Sequence, residues 1–201
     1  MSFPVDRRSV LLSVAALPLL QLPALADEKG YATEDVVVGD EAAPLVVYEY
    51  ISYTCPACAN FHRSIWPQVK ENYVDTGKVK FVVRDFYRNT PDLLVGMTAR
   101  CGGPKGFYPM ADVYLSTQAT WTRAADVNDA VRQIARKAGL SNTRIDACLT
   151  DEEYARTLVD SFRANMETHG VRSTPTFIVN GDRHEGFSSY EDFAKVLDAA
   201  L

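Results

Sequence analysis

The sequence predicts an α/β domain whose sheet is covered on both faces, and three observations carry that expectation. Leu45 to Ser52 (LVVYEYIS) and Val79 to Phe86 (VKFVVRDF) are apolar runs rich in β-branched and aromatic residues, which suit strands. From Thr90 to Gly170 the pattern is helical throughout. Strand character then returns in TPTFIVNGDRHEGF around Asn180-Gly181, a strong hairpin turn signal. Strand, helix, strand, helical insertion, hairpin and closing helix is an order that places helices against a sheet.

With 201 residues, 47% of them hydrophobic, the chain can bury one core rather than two. The segment DRRSVLLSVAALPLLQLPALA runs from two arginines through a short, proline-interrupted apolar stretch to Ala24-Leu25-Ala26, the pattern of a signal peptide cleaved after Ala26. Arg7-Arg8 loosely resembles a twin-arginine signal, so the export route stays open between that and the general secretory path. Loss of residues 1–26 removes Asp6, Arg7 and Arg8 and moves the formal net charge from −5 to −6. Such a mildly acidic product has no basic footprint for nucleic acid. It is expected to be soluble in the periplasm, an oxidising compartment.

Between the first two strands Phe61, Ile65, Val69 and Tyr73 fall four apart on one helical face, and Gly77 closes the segment. Pro67 lies inside that pattern and predicts a kink. In the insertion, Val127, Val131, Ile134, Ala135 and Ala138 form an amphipathic stripe ended by Gly139. Thr150 with Glu153, and Ser188 with Glu191, are spaced as capping boxes opening two further helices. Phe193, Val196, Leu197 and Ala200 give the last helix its apolar face. No repeat of fixed period and no low-complexity linker interrupts the chain.

Cys55 and Cys58, in YEYISYTCPACANFH, are separated by two residues directly after the first strand. Pro56 suits the first helical turn, so Cys55 is expected at the mouth of a helix, where free N–H groups and the dipole favour a thiolate. Cys58, one turn later, can reach the same sulfur and close a reversible disulfide. A bridge over two residues constrains the unfolded chain little, which makes stability a poor reason for it. A zinc site needs four ligands, and Cys101 and Cys148 lack the spacing of a second knuckle. Redox chemistry, with no metal and no cofactor, is the expectation.

CPAC between strand and helix, Thr174-Pro175 before the last hairpin, RDF at Arg84 to Phe86 and the helical segment GFYPMADVYLSTQ together resemble the thioredoxin superfamily, and within it the DsbA-like exported dithiol oxidoreductases. The resemblance covers nearly the whole chain beyond residue 26. It implies a thioredoxin fold, residues 27–90 and 170–201, carrying an all-helical insertion, residues 91–169. It implies that Pro175 is the cis-proline facing the redox disulfide, with Thr174 beside the sulfurs and able to pair its backbone with an extended substrate. An ordinary trans proline on an edge strand is the alternative. Glu49 matches a buried acid of the family that relays the proton of Cys58, its pKa raised by burial; a half-exposed edge position is the alternative reading. Many family members have histidine before the second cysteine. Ala57 stands there in this chain, and a weaker oxidant than the strongest relatives is expected.

The implied activity is donation of a disulfide to the thiols of folding exported proteins, with reoxidation by a quinone-linked membrane partner. A disulfide isomerase or reductase of the same superfamily is the alternative enzyme, and a non-catalytic binding protein or holdase the alternative outside enzymology. Isomerases usually carry a dimerisation region before the catalytic domain; Asp27 to Val36 is too short for one, which favours a monomer. Cys101 and Cys148, left over in an oxidising compartment, are expected to pair as a structural staple, with free buried thiols as the alternative. His62, His169 and His184 are scattered, and are expected to be surface or packing residues rather than ligands. Trp66 and Trp121 are expected in the core.

Overall fold

The structure, a computed structural model, describes residues 29–201. The signal peptide expected over residues 1–26 lies outside the described residues. Five strands form one sheet in the order β1-β3-β2-β4-β5: β1 is Val36–Val38, β2 Leu45–Ile51, β3 Val79–Asp85, β4 Thr176–Val179 and β5 Asp182–Glu185. β2 runs parallel to β3 and antiparallel to β4, so the strand that leads into CPAC is central. Glu49 therefore has neighbours on both sides, Val83 and Phe177, and the edge-position alternative is excluded. β1 was not foreseen. Its three residues are too few for a periodic pattern, and antiparallel pairing of Val36–Val38 with Val83–Phe81 of β3 defines it.

One sheet face is covered by α1 (Pro56–Ser64), α2 (Trp66–Val69) and the closing helix α9 (Tyr190–Ala200). Phe61, Ile65, Trp66 and Val69 meet Phe81, Phe177 and Phe193 there in a buried cluster. Pro67 has the predicted effect, but the break lies two residues earlier. Lacking an N–H, Pro67 cannot bond the carbonyl four residues back, so α1 ends at Ser64, Ile65 caps it, and Pro67 falls in the first turn of α2. A π-helical turn, Lys70–Val74, then leads to β3.

The other face is covered by the helical insertion: α3 (Thr90–Cys101), α4 (Pro104–Ser116), α5 (Gln118–Trp121), α6 (Val127–Lys137), α7 (Asn142–Leu149) and α8 (Glu152–His169). Ile51, Tyr53, Val83, Val95, Phe107 and Trp121 share its core, and Cys55 and Cys58 belong to the same cluster. Two caps sit one residue beyond the expected boxes. Asp151 rather than Thr150 caps α8 by accepting from Tyr154 N at 3.1 Å, while the Thr150 hydroxyl donates to the Asp146 carbonyl at 2.8 Å and finishes α7. Ser189 rather than Ser188 caps α9, accepting from Asp192 N at 3.1 Å. Asn180 and Gly181 both have positive φ, 51° and 87°, as the two-residue turn joining β4 to β5 requires. Among the described residues no helix is long and apolar enough to cross a membrane.

Candidate active site

β2 delivers the chain to a loop, Ser52 to Thr54, that sets the position of Cys55. Cys55 is the N-cap of α1 in extended conformation, φ −83° and ψ 117°, and Pro56 follows inside the first turn. Asp92, fully buried near the start of α3, fixes this loop. It accepts from Thr54 N at 2.8 Å, Thr54 Oγ1 at 3.1 Å, Ser52 Oγ at 3.0 Å and Arg88 N at 3.0 Å. From α5, Gln118 Nε2 donates to the carbonyls of Tyr53 at 2.7 Å and Cys55 at 2.9 Å. Below them Tyr53 donates to Asp85 at 2.7 Å, and Arg100 Nε reaches the same carboxylate at 2.6 Å. The insertion thus anchors the redox loop through polar side chains aimed at its backbone.

The two sulfurs are unequal. Cys55 keeps 5% exposure and Cys58 none. The Cys58 thiol donating to the Cys55 sulfur is the largest influence on Cys55. Burial opposes it; the Thr174 hydroxyl and the amides of Cys58 and Ala57 reinforce it, and the pKa falls from an ordinary 9.0 to about 5. The helix-end amides therefore act as expected, but behind the neighbouring thiol. Burial, then the Cys55 sulfur as bond partner and as charge, push Cys58 well above its ordinary value. One sulfur is held as nucleophile and leaving group; the other is held protonated.

Thr174-Pro175 stands opposite, and its peptide bond is cis, which excludes the trans alternative. In the thiol form Cys55 Sγ donates to the Thr174 carbonyl at 3.2 Å. The Thr174 hydroxyl is buried and forms no well-aligned hydrogen bond, yet it favours the anionic form of both sulfurs.

Glu49 is fully buried, and among the described residues its side chain bonds His62 rather than Cys58: Oε1 lies 3.1 Å from His62 Nε2, and Oε2 has no partner. His62 Nδ1 lies 3.0 Å from Asp112 on α4. Burial disfavours a charged imidazole here, but the Glu49 and Asp112 carboxylates outweigh it and raise the pKa above the usual range. Expectation placed His62 among surface or packing residues. It is the packing alternative that the structure shows, with two acids as buried partners that were not expected, and its place four residues after Cys58, on the same helical face, was the available signal.

The other histidines are peripheral. His169 Nδ1 lies 2.7 Å from Tyr50 OH at the end of α8, and His184 stacks on Phe187 beside the hairpin. Cys101 and Cys148 are joined, their Cα atoms 6.0 Å apart, which excludes free thiols. Trp66 and Trp121 are core residues. Among the described residues no group of three or more histidine, cysteine or acidic side chains is arranged to hold a metal ion.

A family model described as thioredoxin matches residues 32–199. The chain is 31% identical over 168 residues to a candidate protein-disulfide oxidoreductase of Rickettsia typhi, an alignment covering 83% of this chain and 62% of that protein. A like-named protein of Rickettsia bellii is 32% identical over 168 residues, with 83% and 64% covered. This chain therefore spans less than two thirds of the length of either relative. Among solved structures, alpha-DsbA1 of Wolbachia pipientis superimposes with a TM-score of 0.76 at 25% identity, over 90% of this chain and 93% of that one.

Proposed function

The chain belongs to the thioredoxin family, with a DsbA-like thiol-disulfide oxidoreductase fold, and from that premise we propose that Cys55 and Cys58 donate a disulfide to the thiols of exported proteins. The observation that carries this is the placement of the two sulfurs: Cys55 caps the N-terminus of α1 and faces the cis Thr174-Pro175 bond, with Cys58 fully buried behind it, an arrangement that lowers the Cys55 pKa and raises that of Cys58. A client thiolate attacks Cys55 Sγ of the oxidised pair. The Cys55–Cys58 bond breaks and its electron pair leaves with Cys58, which takes up a proton. A second client thiolate attacks the client sulfur, the mixed disulfide opens, and Cys55 departs as a thiolate. The client loses two electrons to the protein; of the two thiol protons, one stays on Cys58 and one passes to solvent at neutral pH.

A stabilised leaving thiolate favours the reduced protein, and so favours donation over reduction. Thr174 and the cis bond to Pro175 border Cys55 and present a backbone against which an extended client can lie. The periplasm is the proposed compartment, supported by the leader pattern of residues 1–26 and by the closed Cys101–Cys148 pair. Reoxidation is assigned to a quinone-linked membrane partner, and the working form to a monomer.

Incubating the oxidised protein with a reduced dithiol peptide tests the proposal. Stoichiometric peptide oxidation with conversion of Cys55–Cys58 to the dithiol is expected. Absence of transfer would favour the holdase reading, and preferential reshuffling of scrambled disulfides would favour the isomerase. Equilibration with glutathione buffers places the potential, expected below that of the strongest oxidants because Ala57 supplies no side-chain donor.

A further inference from the structure

A cavity of about 440 Å³ opens beside the redox pair. Thr54 and Pro56, the two neighbours of Cys55, line it, and Gln118, which holds the Cys55 carbonyl, forms part of its floor. Pro56, Pro91 and Val127 give it apolar wall. Arg63 and Arg123 also line it, and both are exposed.

Among the described residues neither arginine has an ion-pair or side-chain hydrogen-bond partner. Of the other exposed arginines, Arg136 meets Asp129, Arg163 meets Asp160 and Arg183 meets Glu185, whereas Arg88, Arg156 and Arg172 have no side-chain partner among the described residues; Arg63 and Arg123 are set apart by sharing one cavity beside the nucleophile. Asp126, close in sequence to Arg123 and Val127, is committed to the amide of Asp129 as the cap of α6. A chain of net charge −5 thus leaves two unmatched guanidinium groups in one hollow next to its nucleophile. Guanidinium is the side chain best shaped to hold a carboxylate.

The dimensions set a register. Pro56 and Arg63 lie seven positions apart on α1, two turns on one face, which corresponds to roughly 10 Å along the helix axis. An extended peptide covers about 3.3 Å per residue, so the same span takes about three residues.

We propose that this cavity docks an extended cysteine-bearing segment of the client polypeptide, with Arg63 and Arg123 receiving an acidic side chain about three residues from the reacting cysteine. Residues between the cysteine and the acid face Pro56, Pro91 and Val127, so small or apolar side chains fit there. The inference rests on the thiol-exchange reading above and adds to it a client preference. Long-range electrostatics work against it, because an acidic protein repels acidic peptides. A preference for acid would therefore report the local pair of arginines.

The test is stopped-flow reduction of the oxidised full chain by three single-cysteine peptides carrying Glu, Gln or Lys three residues from the cysteine. A second set places the charge on the other side of the cysteine, and a third moves it to six residues away. In the wild type the Glu peptide at the matching position is expected to react about tenfold faster than the Lys peptide at low salt, with the advantage shrinking as salt rises. In R63E/R123E the Glu-to-Lys rate ratio should invert; read within one protein, that ratio is insensitive to altered folding. Equal rates for all peptides, or a ratio unchanged in R63E/R123E, would overturn the docking site. Reduction of the wild type by dithiothreitol separates the two levels: if it proceeds while the peptides show no preference, only the client preference fails, and if it does not, the exchange reading fails as well.

Discussion

Cys55 and Cys58 stand three positions apart at the mouth of α1, whereas Cys101 and Cys148 stand 47 apart and tie the end of α3 to α7. The first pair borders solvent through Cys55, is flanked by donors and faces a cis-proline loop. The second is fully buried, packed with Tyr31, Tyr154 and Leu158. Donors around Cys55 stabilise a thiolate there. An attacking thiolate can approach only the first pair. The same bond therefore serves as exchangeable chemistry in one place and as scaffold in the other, and surroundings decide which.

The sharpest way to break this contrast is at the first pair. Cys55→Ser should abolish exchange, whereas Cys58→Ala should still form mixed disulfides through Cys55 but lose dithiol oxidation. Alkylation and mass spectrometry on the two variants read this, and equal reactivity of both sulfurs would contradict it. The second pair should give the opposite result. Cys101→Ala with Cys148→Ala opens a loop of 47 residues and should cost about 4 kcal/mol in the chain-entropy picture, while the Cys55 titration midpoint stays in place. Denaturant unfolding with a thiolate titration separates the two effects.

Asp92→Ala joins the regions, because Asp92 belongs to the insertion while its bonds go to the redox loop. It leaves buried donors of Ser52 and Thr54 unpaired and should destabilise by about 2–3 kcal/mol. Unlike loss of the staple, it should also move the Cys55 midpoint upward. Linkage gives a contrast that depends on pH. Cys55 is held at about 5 against an ordinary 9.0, so the reduced native protein binds fewer protons than its unfolded chain between those values. Stability from this source is fully present above 9.0 and is lost as pH falls through about 5. The disulfide form lacks it. The stability of reduced relative to oxidised protein should therefore increase from pH 5 to pH 8 in thermal melts of both forms; a constant difference would contradict the account. Cys58, raised well above 9.0, opposes this trend only at higher pH.

Much of the first region was legible in the sequence because its signals are local. A β-branched run, two cysteines one turn apart, a proline inside the first turn and Asn180-Gly181 each specify geometry within a few residues. The supports of the site were not. Gln118 acts across 63 and 65 residues and Asp92 across 38 and 40, and nothing near either position in the chain indicates a loop backbone as partner. The two caps were displaced by one residue because Asp151 and Ser189 compete with Thr150 and Ser188 for the same role, and local spacing does not rank them. Glu49 was placed correctly inside the protein, but its partner His62 comes from α1, a contact fixed by packing the helix on the sheet.

The most direct measurement of the central claim is the ultraviolet titration of the Cys55 thiolate in the reduced protein, with Cys55→Ser as baseline. A single transition near pH 5, absent from the baseline, is the expected result. A midpoint near the ordinary 9.0 would mean that the mouth of α1 does not tune its sulfur.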